Sequence, residues 1–149
     1  MQQRIETSLE RAGNLQRVRT RLGGVAIERS GAGVPLLLLH SVTHDRHDYD
    51  AIVPELARSF HVIAVDLPGH GASDLFDPPS SARADAMCDA VEDLVQGLGL
   101  GPVLLMGNSV GGNAGARLAI RRPELVRGLV LIDCAALAGQ TRFTRAACW

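Results

Sequence analysis

Four short apolar runs punctuate the chain: VPLLLLH at 34–40, HVIAVD at 61–66, VLLMG at 103–107 and GLVLID at 128–133. Each is continuous rather than alternating, as a strand covered on both faces requires. Between them the spacing changes to that of helices. Tyr49, Ile52, Val53 and Leu56 share one helical face, and Pro54 fits only near a first turn, so a short helix is expected there. A longer one carries a stripe of Met87, Val91, Leu94 and Leu98, with Asp85, Asp89, Glu92 and Asp93 expected to face water. Ser80 or Ser81 would cap it, and Gly97 and Gly99 would end it. A third helix follows Ser109 and stops at Pro123, with Arg121 and Arg122 complementing its negative end. Upstream, QRVRT and VAIERS alternate on either side of a break at Leu22 to Gly24 and read as an antiparallel hairpin at a sheet edge. Ile5 to Arg11 is either a helical turn or a frayed arm, leaving 1–15 as a flexible arm. A hairpin followed by alternating strands and helices gives the fold class: α/β, a mostly parallel sheet with an N-terminal antiparallel hairpin and helices on both faces.

Composition narrows the partners. The 149 residues suit one domain, and 15 basic against 16 acidic residues leave a net charge of −1. No broad field would draw nucleic acid or an anionic membrane, and an aromatic share of 3% argues against a base-stacking surface, so a small-molecule substrate is expected. Cys88, Cys134 and Cys148 are widely spaced and form no C-x-x-C, which reads as buried thiols in a reducing compartment. The first residues lack the apolar core of a secretion signal, and no apolar run approaches the ~18 residues of a membrane helix. A cytoplasmic protein without membrane contact is the expectation.

The candidate chemistry lies in VLLMGNSVGGNAG at 103–115, where an apolar run breaks at Gly107 and gives way to a helix start. A serine becomes a useful nucleophile when a sharp strand-to-helix turn holds its hydroxyl clear of neighbours, and such a turn has no room for side chains two residues to either side. Gly107 and Gly111 occupy those places in G-N-S-V-G, which spans Asn108, Ser109 and Val110. Gly112 and the small residues after it allow close helix packing. A Walker phosphate loop would need G-x-x-x-x-G-K-S/T, and neither that nor G-x-G-x-x-G is matched.

LLLLHSV at 36–42, VIAVDLPGHGASD at 62–74, GNSVGG at 107–112 and GLVLID together resemble the α/β-hydrolase fold family from about Arg19 to Asp133. The resemblance implies that Ser109 attacks an acyl carbon and that the Val110 N–H is one oxyanion donor. It places the second donor amide at Val42, after a position where Ser41 replaces the family's glycine. His40, His70 and Asp66 are implied to be structural, and His61 reads as an ordinary core or surface histidine. Family order is Ser, then acid, then His, yet no histidine follows Ser109 in these 149 residues, and Asp133 holds a place where a minority of the family keeps its acid. Residues 134–149 lie where a cap would begin, so the expectation is a single incomplete domain, truncated after the strand that ends at Asp133.

Two functions follow. The first is an esterase-like serine hydrolase acting on an ester or similar acyl bond, impaired by the missing histidine. The second is a non-catalytic truncated product or ligand- or partner-binding module. His44 and His47 follow His40 with Asp45 and Asp48 between them, but the spacing fits no zinc motif, so neither metal nor cofactor is expected. An unprotected GLVLID edge would also promote self-association.

Overall fold

The computed structural model describes residues 10–12, 14–76 and 85–134. Seven strands form one sheet: β1 (Glu10–Ala12), β2 (Leu15–Thr20), β3 (Gly23–Ser30), β4 (Val34–Leu39), β5 (Phe60–Val65), β6 (Val103–Asn108) and β7 (Val126–Ile132). They lie in the order β1-β2-β3-β5-β4-β6-β7, antiparallel from β1 to the β3/β5 pair and parallel from there on. Three helices accompany them: α1 (Val53–Leu56), α2 (Ala86–Gly97) and α3 (Val110–Arg121). A 3-10 turn at Arg46–Tyr49 precedes α1, and another at Pro123–Leu125 leads into β7.

The continuous apolar runs of β4, β5 and β6 divide by alternation between two cores, whereas the GLVLID run of β7, expected to be covered on both faces, has Leu129, Val130 and Ile132 exposed. Val103 and Leu105 of β6, with Leu37, Leu39, Ile63 and Val65 of the neighbouring strands, pack under α2 and α3. Leu36, Leu38 and Val62 point the other way, onto Tyr49, Val53 and Leu56. This is the physical reason the runs are unbroken: a central strand needs apolar residues at both parities.

Local departures from the sequence expectations have identifiable causes. The hairpin turns at Arg21 and Leu22, and Gly23 and Gly24 already belong to β3. Residues 10–12 are a strand paired with β2, not part of a helical turn. The expected helix around Tyr49 is split into the 3-10 turn and α1, Pro54 lies within the first two helical positions, and Ile52 is exposed between the two pieces. The capping positions Ser80 and Ser81, together with Cys148 and the tail after Cys134, lie outside the described residues.

The largest correction concerns α2, where Glu92 and Asp93 do not face water. Asp93 is fully buried. It accepts from the Arg21 backbone N–H at 2.8 Å and from Arg21 Nε at 2.9 Å, which ties the hairpin turn to the helix. Glu92 is buried beneath Arg121 and Arg122, so those arginines bridge α3 to α2 as well as lying at a helix end. An amphipathic stripe cannot reveal this, because a carboxylate beside the apolar face is buried whenever an arginine from another element reaches it.

Arg21 keeps half of its side chain in solvent whereas Asp93 keeps none, and this makes the two truncations unequal. Arg21→Ala leaves a buried carboxylate unpaired and is expected to cost about 3 kcal/mol in urea unfolding. Asp93→Ala leaves a cation that can rehydrate and is expected to cost less, about 1–2 kcal/mol. Equal losses would contradict the assignment of the burial cost to the carboxylate.

Among the described residues β7 is the outermost strand at its end of the order, and Leu129, Val130 and Ile132 are each more than a third exposed. We propose that two copies of the 149-residue chain pair through this strand: its one register shift lies at Arg127, and from Gly128 to Ile132 the apolar edge is regular and carries no Lys or Pro, which makes it a template for another strand. Val130→Lys is expected to raise soluble recovery and shift sedimentation toward monomer. Unchanged sedimentation of an already monodisperse monomer would contradict the pairing.

Candidate active site

The end of β6 packs backbone to backbone against the first turn of α3. Ser109 links β6 to α3 with φ 48° and ψ −109°, a conformation that an L residue adopts only under constraint. Its N–H donates to the Ile132 carbonyl at 2.9 Å, and its carbonyl accepts from the Asn113 N–H at 2.9 Å. The glycines around it are obligatory. A Cβ on Gly107 would lie 2.5 Å from the Gly112 nitrogen, and one on Gly111 would lie 2.3 Å from the Leu39 carbonyl oxygen. One on Gly112 would lie 2.9 Å from the Gly107 oxygen. The first turn of α3 thus sits directly on the ends of β4 and β6, with no side chains between them.

Val110 opens α3, so its N–H has no acceptor within the helix and lies at the positive end of the helix dipole. The loop leaving β4 begins at the same level of the sheet, because Leu39 is in register with Gly107. In that loop Val42 is half exposed and Thr43 has a positive φ of 65°.

His40 fastens this loop from below. Its ring is fully buried, and Nε2 accepts from the Leu67 N–H at 2.9 Å. The proton must therefore reside on Nδ1, which donates to the Ser41 carbonyl at 2.6 Å. Burial pushes its pKa below the usual histidine value. Both nitrogens are committed, so this neutral imidazole ties the ends of β4 and β5 together.

Asp66 performs the same service with a carboxylate. Fully buried, it accepts from the Arg46 N–H at 2.7 Å, from the Arg46 guanidinium at 2.8 Å and from the Ala72 N–H at 2.8 Å. It thereby joins the loop after β4 to the loop after β5, and a Cβ on Gly71 would collide with it at 2.4 Å. His70 packs its ring 5.0 Å from that of His40 and engages the Pro68 carbonyl.

The three histidines considered as metal ligands go to separate partners. His44 Nδ1 meets Asp48 at 2.5 Å, His47 Nδ1 meets Asp50 at 2.8 Å, and His40 faces Leu67. No group of three His, Cys, Asp or Glu side chains able to hold a metal occurs among the described residues. Asp133 follows Ile132 directly at the end of β7, exposed and with a positive φ of 45°. Behind it Cys134 is buried, and its Sγ donates to Asn113 Oδ1 at 3.0 Å.

Sequence reasoning treated Tyr49 only as an apolar helix position. Its hydroxyl donates to the Leu39 carbonyl at 2.9 Å from a buried position. Burial pushes its pKa up to about 12, with the Asp48 carboxylate adding to the shift and the Asn108 backbone opposing it. Tyr49 is the sole tyrosine of the chain, so phenolate absorbance reports on it alone. The native protein should show no phenolate where the denatured chain titrates, at about pH 10. Because the folded-state value is raised, the stability contribution is intact below about pH 10 and is lost as pH rises toward about 12. A native midpoint equal to the denatured one would contradict this burial.

Residues 34–143 match the family model of the alpha/beta hydrolase fold. The chain is 38% identical over 115 residues to a 2-hydroxymuconate semialdehyde hydrolase of Pseudomonas sp., covering 73% of this chain and 39% of that protein. It is 33% identical over 128 residues to a pimeloyl-[acyl-carrier protein] methyl ester esterase of Nitrosomonas europaea, covering 86% and 46%. Among solved structures, a thermophilic esterase from Thermogutta terrifontis superposes with a TM-score of 0.78 at 32% identity, covering 89% of this chain and 50% of that one. The chain therefore spans half or less of the length of these proteins. The matched segment holds the strained serine turn, the glycines under it and the strands on either side, and the chain belongs to the α/β-hydrolase fold family.

Proposed function

We propose that the chain carries the nucleophile-bearing part of a serine hydrolase site, acting on an ester or similar acyl bond of a small molecule. Ser109 is the nucleophile, the Val110 and Val42 amides are the oxyanion donors, and Asp133 is the candidate acid. The observation that carries this reading is the Ser109 backbone itself. A non-glycine residue at φ 48° and ψ −109° costs about 1–3 kcal/mol, and the surrounding glycines are packed so as to enforce it. Strain of this kind between a strand and a helix N-terminus presents the serine oxygen and an unpaired amide to the same point. The similar proteins are hydrolases, and the methyl ester esterase among them supports an ester as the bond cleaved. Two buried free thiols, Cys88 and Cys134, support a reducing compartment and hence the cytoplasm.

The base is the component these residues do not provide. All five histidines precede Ser109, and the most deeply buried, His40, has both nitrogens engaged. The 149-residue chain alone is therefore expected to react slowly. Loss of a triad histidine costs about 10⁶-fold in kcat, and what remains is about 10³- to 10⁴-fold over water from oxyanion stabilisation and binding.

A fluorophosphonate probe tests the reading. Slow modification mapped to Ser109 by peptide mass, and abolished in Ser109→Ala, is the expected result. Labelling that persists in Ser109→Ala, or no labelling after prolonged exposure, overturns the nucleophile assignment and favours a binding role.

A further inference from the structure

We propose that Tyr49 is a positioning residue for this site: its hydroxyl is a strut that holds the Leu39 carbonyl at the end of β4 against the first turn of α3, setting the spacing of the two oxyanion-donor segments. The mechanistic half of this inference rests on the proposed nucleophile role of Ser109; the strut itself does not. Leu39 and Gly107 form the last pair in register between β4 and β6. Beyond that pair the strands take different courses, one into the loop through Val42 and the other through Asn108 into the Ser109 turn. The Tyr49 hydroxyl occupies this divergence. It donates to the Leu39 carbonyl at 2.9 Å, and the Asn108 backbone favours the ionised form of the hydroxyl against the burial that disfavours it.

Other contacts converge on the same carbonyl. It is the atom a Cβ at Gly111 would strike, so the first turn of α3 rests against the point the hydroxyl holds. The ring is clamped below by Leu36, Leu38 and Val62, with Val53 and Leu56 packed beside them, which keeps the hydroxyl from swinging away. Asp48, the neighbouring acidic residue, is occupied with His44 Nδ1 and lies near the Ser41 N–H. A phenylalanine would fill the same volume but remove the hydrogen bond that holds the Leu39 carbonyl. The oxyanion donors would then drift apart, and donors of this kind act through placement held before reaction.

Tyr49→Phe is compared with Val53→Ala, which thins the same small core without touching either strand end. Amide hydrogen exchange gives the first readout and needs no activity. In Tyr49→Phe, exchange at Asn108 and the adjoining amides of the Ser109 turn should accelerate about tenfold or more, with α2 unchanged. Val53→Ala should show no such selective change. The second readout is fluorophosphonate modification of Ser109, where Tyr49→Phe should lower the maximal rate about 10- to 100-fold with little change in the concentration for half-maximal rate. Unaltered exchange at the turn, or equal effects from both variants, overturns the strut. Selective exchange with an unchanged maximal rate overturns its role in positioning. A wild-type chain that never labels removes the nucleophile reading, while the exchange comparison still decides the strut.

Discussion

The architecture depends on one close approach: the first turn of α3 lying backbone to backbone against the ends of β4 and β6. At contact distances of this kind a single methyl group is decisive. Carbons added at Gly107, Gly111 or Gly112 would each come within 3 Å of main-chain atoms that cannot yield. This contact holds Ser109 in its unusual conformation, because the chain must reverse from strand to helix within one residue while both elements remain in van der Waals contact. The sheet supplies the rigidity. Ser109 donates to the Ile132 carbonyl on β7, so the turn is held from that side by a neighbouring strand as well.

Three buried polar groups extend that rigidity outward from the turn. His40 joins β4 to β5, Asp66 joins the loops that follow them, and Tyr49 ties the 3-10 turn to the end of β4. Each is buried with its polar atoms engaged, the condition under which burial of polar groups sharpens a structure instead of weakening it. The result is a row of loops at one end of a parallel sheet whose spacing is set by side chains far apart in sequence. In open α/β sheets that end is where ligands bind, because strands and helix N-termini both deliver backbone groups there.

The same logic explains the charged residues that behave unlike a solvated surface. Asp93 and Glu92 face α2's neighbours because Arg21, Arg121 and Arg122 arrive from other elements to meet them. The hairpin is thus latched to the helical layer by an ion pair whose acidic half is buried and whose basic half is half exposed. That asymmetry lets the arginine keep part of its hydration while neutralising the carboxylate.

The strands from β2 to β7, the class of fold and the serine turn were legible in the sequence, since each follows from local rules, whereas β1 was not. A strand buried on both faces needs an unbroken apolar run, and a strand-to-helix reversal around a serine needs glycines at fixed offsets. The structural character of His40 and Asp66 was also readable, but only through family resemblance. What the tertiary structure alone decided were the partnerships across long sequence separations. Tyr49 has the signature of an apolar helix position, and nothing in its neighbourhood indicates that its hydroxyl will meet the Leu39 carbonyl. Asp93 has the signature of a solvated helix residue until Arg21 is brought over it. Periodicity records which face of an element is apolar, whereas the identity of the group that meets a polar atom is settled only when separate elements pack.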